Sequence, residues 1–430
     1  MLLGGCSGLE PGFEDILRPP KAMGDEAEIE KLISDAAGTG YTLKYPKSGS
    51  YRSAIIMYDL DGDDTDEAIA FFKGKDDLTN VRMLIMSDGS DGWKVSGDFS
   101  TETTDVERVD FADIDDSDGA EIIVGYTTYT PNVNFLSCYT YKGGSTGIIK
   151  SGQNYSAFCC GNLDGVGKRE IIALSLFNAE TEARASMLTY NAESKTLYSK
   201  ANTALDPNVI KYRKAVFSDL QDGTKALVID GAFADETLST QVIYYNRELA
   251  ILRNPLYREK EKSVTRRAGL VLSNDIDNDG NVEIPIVDKL PYSGAEGVKV
   301  VADKLTWYNF SAENESLVLK TSAAANFKLS YSVRIPETWE DDSFTATLGS
   351  ADNTMTFYEW QGDRLGKELF RIKAFPVAQW DLGKENEGYS LIYRDAKYAF
   401  SFRNAEPDSP LALSDDKIKT SFSVLDGAYE

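Results

Sequence analysis

The chain has 430 residues, 42 % apolar and 11 % aromatic, enough to bury a core and to exclude wholesale disorder. Its 45 basic residues against 69 acidic ones leave a net charge of −24, which excludes a nucleic-acid-binding stripe and attraction to anionic lipid. Histidine is absent, so Ser-His-Asp and Cys-His catalysis and His-ligated zinc or haem are excluded, while carboxylate chemistry and hard, oxygen-bound cations remain.

At the N-terminus, Leu2-Leu3-Gly4-Gly5-Cys6 resembles a bacterial lipobox, whose cysteine is lipidated after leader cleavage. Pro11, Pro19 and Pro20 follow as a tether, so residues 1–23 read as lipobox remnant and linker. The resemblance implies an extracellular protein held at the membrane by a lipid on Cys6; the alternative is an ordinary cysteine in a disordered leader. No later run reaches the roughly 20 apolar residues of a membrane helix. Over residues 24–40, Ile29, Leu32, Ile33 and Ala36 fall on one helical face, which predicts a short amphipathic helix packed on the fold that follows. Tyr41-Thr42-Leu43-Lys44-Tyr45 is expected as an extra strand closing that fold against its last repeat.

From there an Asp-rich pattern recurs, with first positions at 59, 113, 162, 219 and 275 and gaps of 54, 49, 57 and 56. In each unit an apolar run enters the loop: Ser53–Leu60, Arg108–Ile114, Ser156–Leu163, Lys214–Leu220 and Gly269–Ile276. A second apolar run leaves it. In the first unit two more strand-like runs follow, Val81–Met86 and Trp93–Phe99, around the turn Asp88-Gly89-Ser90-Asp91-Gly92. Four short antiparallel strands in about 50 residues is the size of a propeller blade, and such blades must stack to bury both faces. The fold class read from this is mainly β: a five-bladed β-propeller over 41–325, followed by a small α+β domain over 326–430.

These loops, repeated at blade spacing, resemble the FG-GAP/VCBS repeats of integrin-α-like propellers and bacterial surface proteins, over about two-thirds of the chain. The resemblance implies a calcium loop in which positions 1, 3, 5 and 9 give side-chain oxygens and position 7 its carbonyl. Loop one then offers Asp59, Asp61, Asp63, Thr65 and Glu67. Loop five offers Asp275, Asp277, Asp279, Asn281 and Glu283, and loop two Asp113, Asp115, Ser117, Gly119 and Glu121. Loop three keeps Asn162, Asp164 and Glu170 but has Val166 at position 5, so its binding is expected to be weak or absent. Loop four has Gln221 and Leu227 at positions 3 and 9 and reads as a metal-free hairpin. Calcium takes six to eight oxygens, and three or four carboxylates within nine residues repel one another until a divalent cation joins them. Two or three structural calcium ions are therefore expected, with their positions filled by protein. The competing reading is that Asp and Gly merely suit tight turns.

Cys138, Cys159 and Cys160 read as buried small hydrophobes, a Cys138–Cys159 disulfide being the alternative. After residue 325, strand-like runs lie at Phe327–Val333, Thr354–Trp360, Leu369–Ala374, Tyr389–Tyr393 and Tyr398–Arg403. Helices are expected at Val377–Leu382 and, with Ser414 as cap, up to Phe422. This segment faintly resembles the PsbP-like domains of Gram-positive lipoproteins, and Trp339, Trp360 and Trp380 read as its core. The function expected is non-enzymatic: binding or scaffolding of an unidentified extracellular glycan, peptide or envelope protein. Two alternatives stand beside it. One is a carbohydrate-active enzyme with an Asp/Glu pair, although the remaining acids Glu102, Glu107, Asp230 and Asp235 read as solvated. The other is a spacer presenting the C-terminal domain.

Overall fold

The computed structural model describes residues 24–425 apart from 39, 76, 269–270, 293, 295–299, 350, 384–385 and 406–407. Cys6 lies outside the described residues. The protein is mainly β, a series of antiparallel sheets made largely of strands consecutive in sequence, consistent with a propeller-like fold. The chain divides into two compact units. The first runs to Cys160 and takes in Gly167–Ala173 and Leu188–Lys200; the second holds Gly161–Val166, Leu174–Met187 and Ala201 onward.

In the first unit, helix α1 (Asp25–Ala37) precedes β1 (Tyr41–Lys44), β2 (Ile55–Tyr58), β3 (Glu67–Gly74), β4 (Asp77–Ser87) and β5 (Lys94–Glu102). The alternation along β3 explains why it is buried on both faces. Ala68, Ala70 and Phe72 pack beneath Ile29 and Ile33 of α1, while Ile69 and Phe71 enter a second core. That core is shared with Ile122 and Val124 of the next sheet, β6 (Val106–Ala112), β7 (Glu121–Thr127), β8 (Asn134–Lys142), β9 (Ser145–Ile149) and β10 (Asn154–Tyr155). On the other face of β7, Ile123 packs with Ile171 and Ala173. Strand β1 does not close the fold against a distant repeat. It pairs with Phe71–Gly74 of β3, because the four residues of β2 cover only Glu67–Ala70 and leave the rest of that edge open. Tyr41 then packs edge-on to Phe72.

A third sheet holds β11 (Ala157–Gly161), β12 (Glu170–Ser175), β13 (Arg184–Asn191) and β14 (Thr196–Ala204). Among the described residues, Cys138, Cys159 and Cys160 form no disulfide with one another, and burial pushes the Cys159 thiol up to about 11.

The second unit holds β15 (Lys211–Asp219), β16 (Lys225–Ala232), β17 (Thr237–Asn246), β18 (Ile251–Arg253) and β19 (Arg267–Ala268) in one sheet. The next has β20 (Ile284–Lys289), β21 (Asp303–Ser311), β22 (Ser316–Asn326) and β23 (Tyr331–Arg334). The strand expected over Gly269–Ile276 is reduced, among the described residues, to one bridge between Asn274 and Glu283. Side chains hold this stretch in place of a ladder. Asp230, read from sequence as solvated, is 1 % exposed. Its carboxylate accepts from Arg267 Nη2 at 2.8 Å, the Ser273 N–H at 2.6 Å and the Thr240 hydroxyl at 2.6 Å. Arg267 also donates to Val271 O. Of the other leftover acids, Glu102 and Asp235 are exposed, and Glu107 is half-buried against Ser48 and Tyr155.

A sixth sheet comprises β24 (Phe344–Gly349), β25 (Thr354–Trp360), β26 (Leu365–Pro376), β27 (Ser390–Arg394) and β28 (Tyr398–Asn404), with α2 (Val377–Leu382) after β26. Helix α3 (Asp415–Ser421), capped by the Ser414 hydroxyl, leads into β29 (Phe422–Val424), which pairs with β23. The sheet of β20–β23 therefore continues past residue 325. The alternation at Phe327–Val333 is broken by a 3-10 turn at Phe327–Leu329, capped by Asn326 and followed by Ser330 in the left-handed region. Trp339 is buried with Phe344 and Phe357, whereas Trp360 and Trp380 are only half-buried.

Removing one member of a buried pair strands the other charge. Asp230→Ala is expected to cost about 3–5 kcal/mol in urea unfolding, with Asp230→Leu/Arg267→Met recovering most of it. A loss below about 1 kcal/mol would show that the pair does not hold this stretch.

Candidate metal centre

Loops one, two and five turn on the same contact. At position 9 a glutamate stands at or one residue before the start of the second strand and accepts the backbone N–H of position 2: Glu67 from Leu60 at 2.9 Å, Glu121 from Ile114 at 2.9 Å, Glu283 from Ile276 at 3.0 Å. These glutamates are 3 %, 2 % and 0 % exposed. Position 1 caps the turn. Asp59 accepts the N–H groups of Gly62, Asp63 and Asp64; Asp113 that of Asp116; and Asp275 those of Asp279 and Gly280. The turns need left-handed backbone at Gly62 and Asp64, and again at Asn278 and Gly280, where Asp, Asn and Gly are the residues that tolerate it.

With the backbone so held, carboxylate oxygens converge. Asp59, Asp61 and Glu67 bring one oxygen each within 4.8 Å of one another, as do Asp113, Asp115 and Glu121, and Asp275, Asp277 and Asp279. Two unit charges at that separation repel by about 3–4 kcal/mol at an effective dielectric near 20. Burial, then Asp61 and Asp63, push the Glu67 carboxyl above its ordinary value against the opposing Leu60 N–H. Burial pushes Glu121 up to about 7, and Glu283 is raised by the same cause. Asp61 Oδ1 and Glu283 Oε1 are buried with no hydrogen-bond partner among the described residues. An all-oxygen, all-acid donor set with such oxygens facing inward fits calcium.

The remaining predicted ligands are placed less directly. Asp63 accepts from the Thr65 N–H, and Asp279 from the buried Asn281 N–H. Ser117 donates its N–H to Asp115 and its hydroxyl to Asp118 O. Gly119 lies where a Cβ would stand 2.2 Å from Leu60 O, so this glycine lets loop two close onto loop one. In loop three Asp164 accepts from the Val166 N–H, Asn162 is half-buried and Glu170 buried, and they join none of the three clusters. Loop four is a tight turn, Gly223 N–H to Leu220 O and Leu220 N–H to Thr224 O, with Lys225 paired to Asp219.

Sequence reasoning missed how the loops interlock and which cations serve them. Ala120 donates to Leu60 O, Arg169 to Asp113 O, and Asp219 to Gly280 O, so each loop is tied to a neighbour. Lys142 pairs with Asp115 at 2.8 Å, and the next residue, Gly143, donates to Asp61. Lys320 of β22 reaches Asp277 at 2.7 Å, Asp279 at 3.0 Å and Glu283 at 3.6 Å. No sequence signal marks Lys142 or Lys320, which stand 27 residues from Asp115 and 41 from Asp279.

No family model and no curated protein matches the sequence. Among solved structures, the chain is similar to a protein from Lactobacillus plantarum at 10 % identity, covering 76 % of this chain and 94 % of that one, TM-score 0.31. A hypothetical selenium-binding protein from Sulfolobus tokodaii gives 11 %, 68 %, 72 % and 0.30, and Sqt1 of Saccharomyces cerevisiae 9 %, 82 %, 98 % and 0.31. A likeness at that level carries no argument about what the chain binds.

The raised Glu121 carboxyl has a signed consequence. Between its ordinary 4.5 and about 7 the folded, metal-free chain holds a proton that the unfolded chain has lost. Its stabilising contribution is thus complete below pH 4.5 and is lost as pH rises through 7. Glu121→Gln, which keeps the acceptor for Ile114, is expected to flatten that decline in urea midpoints measured in chelator. An unchanged slope would show that Glu121 is not its source.

Proposed function

We propose that this chain is a calcium-stapled, five-bladed β-propeller of the FG-GAP/VCBS type, displayed outside a bacterial cell to bind or scaffold an extracellular glycan, peptide or envelope protein. In this reading residues 41–325 form the blades, 326–430 a small appended domain with a weak PsbP-like character, and Cys6 carries the lipid. The observation that carries it is the convergence of three carboxylates in each of loops one, two and five, at the positions where calcium loops place their ligands. Asp59, Asp61, Asp63 and Glu67 would hold one ion through their side chains, with the Thr65 carbonyl. Asp113, Asp115, Ser117 and Glu121 would hold a second with the Gly119 carbonyl, and Asp275, Asp277, Asp279 and Glu283 a third with that of Asn281.

The ions' role would be structural. Each of these three loops leads into a sheet strand and is hydrogen-bonded to a neighbouring loop, so an ion that fixes one loop also steadies its neighbour. Since folding creates the ligand set, binding free energy becomes stability, about 2.7 kcal/mol per site at a hundredfold excess over Kd.

The test is the melting temperature of the full chain in millimolar calcium and then in chelator. A rise of several degrees with calcium is expected, and most of it should vanish when Asp59, Asp61, Asp275 and Asp277 are replaced by Ala. No shift would reduce the loops to bare turns.

A further inference from the structure

Beside loop five, within the second unit, lies a cleft of about 1040 Å³. Asp275 and Asp277 form part of its wall, and so does Lys320. In a chain of net charge −24, this wall carries a small excess of cations: Lys214, Lys320, Arg334 and Lys417 line it against Asp275, Asp277 and Glu337. Two of those acids belong to the metal loop. Arg334 and Lys417 are exposed and, among the described residues, pair with no acid. Lys214 is half-buried and, among the described residues, donates to neutral acceptors, Ser273 O at 2.8 Å and Asn274 Oδ1 at 2.9 Å. Thr321, Ser322, Ser332 and Ser423 add hydroxyls around the same space.

Lys320 belongs to both sites. Its ammonium sits among Asp277, Asp279 and Glu283, where it supplies one positive charge to oxygens that a divalent ion would coordinate. Calcium and an ammonium cannot share those oxygens, because calcium binds them directly and the two cations repel at that range. The lysine stem has four flexible carbons, so a displaced ammonium swings while its backbone stays in β22.

We propose that calcium at loop five releases Lys320 into the adjoining cleft, where it joins Arg334 and Lys417 to bind a carboxylate-bearing saccharide. The inference rests on the calcium reading of loop five. The guanidinium takes the carboxylate in a forked, charge-assisted contact, and the hydroxyl lining suits a polyhydroxylated body. The volume holds far more than a bare anion. Anion affinity then depends on calcium, and the divalent charge at the cleft wall reinforces it.

Two titrations of the full chain separate this proposal from the reading beneath it. The first is calcium into chelator-treated protein, compared with the Asp275→Ala/Asp277→Ala variant, to score loop five alone. The second is cellobiouronic acid, a disaccharide with one uronate ring, against neutral cellobiose, each in millimolar calcium and in chelator. Cellobiouronic acid is expected to bind at least about tenfold more tightly in calcium than in chelator, with no binding of cellobiose. Arg334→Ala should lose about tenfold for the acid with calcium uptake unchanged, and Lys320→Met should take calcium more tightly yet lose the acid. Calcium uptake at loop five without uptake of the acid, or with equal uptake in chelator, would overturn the proposal and leave the calcium reading standing. No calcium uptake at loop five would overturn both.

Discussion

A carboxylate placed at the entrance to a buried strand is the constraint from which the acidic loops take their form. Glu67 and Glu121 open strands buried over most of their length, and Glu283 stands one residue before β20. A buried carboxylate must find donors, and each of these finds the N–H seven residues earlier. That single hydrogen bond fixes the span of the loop, and the span seats the position-2 side chain, with Leu60 and Ile114 essentially fully buried. What it leaves is a second, inward-facing oxygen and two or three aspartates beside it. Backbone donors alone cannot answer that charge. The protein supplies part of the answer through Lys142 and Lys320, and a divalent ion would supply the rest.

The same loops connect local geometry to the packing of whole sheets. A sheet with two apolar faces is stable only when both are covered. In the first unit that condition is visible along β3 and β7, whose successive side chains enter different cores. The interloop hydrogen bonds act at the end of those strands, where Ala120 meets Leu60 and Arg169 meets Asp113. Gly119 is required there by close approach, since any side chain would strike the Leu60 carbonyl.

Much of this was legible in the sequence because it is periodic. An acidic loop recurs every 49 to 57 residues, with Asp at positions 1 and 3 and Glu at position 9 in loops one, two and five, and apolar runs on either side mark the strands. Aperiodic features were harder to see. The closing role expected of Tyr41–Tyr45 failed because nothing in the sequence reveals that β2 covers only half of its partner's edge. Asp230 was misread as solvated, although its place after Leu227-Val228-Ile229 was the signal that a buried cation had to meet it. Arg267 is that cation, 37 residues away. β24 escaped notice because its apolar positions, Phe344 and Ala346, belong to a core that also draws on residues as far apart as Leu290 and Ile418. Lys320 lies on a strand whose own pattern gives no reason to turn it towards an acid loop.

The most direct measurement is the number of calcium ions held by the full chain at equilibrium dialysis. About three ions per chain are expected, one in each of loops one, two and five, with one lost when Asp113 and Asp115 are both replaced by Ala. A count of zero, or a count unchanged by that replacement, would contradict the assignment of these loops as calcium sites.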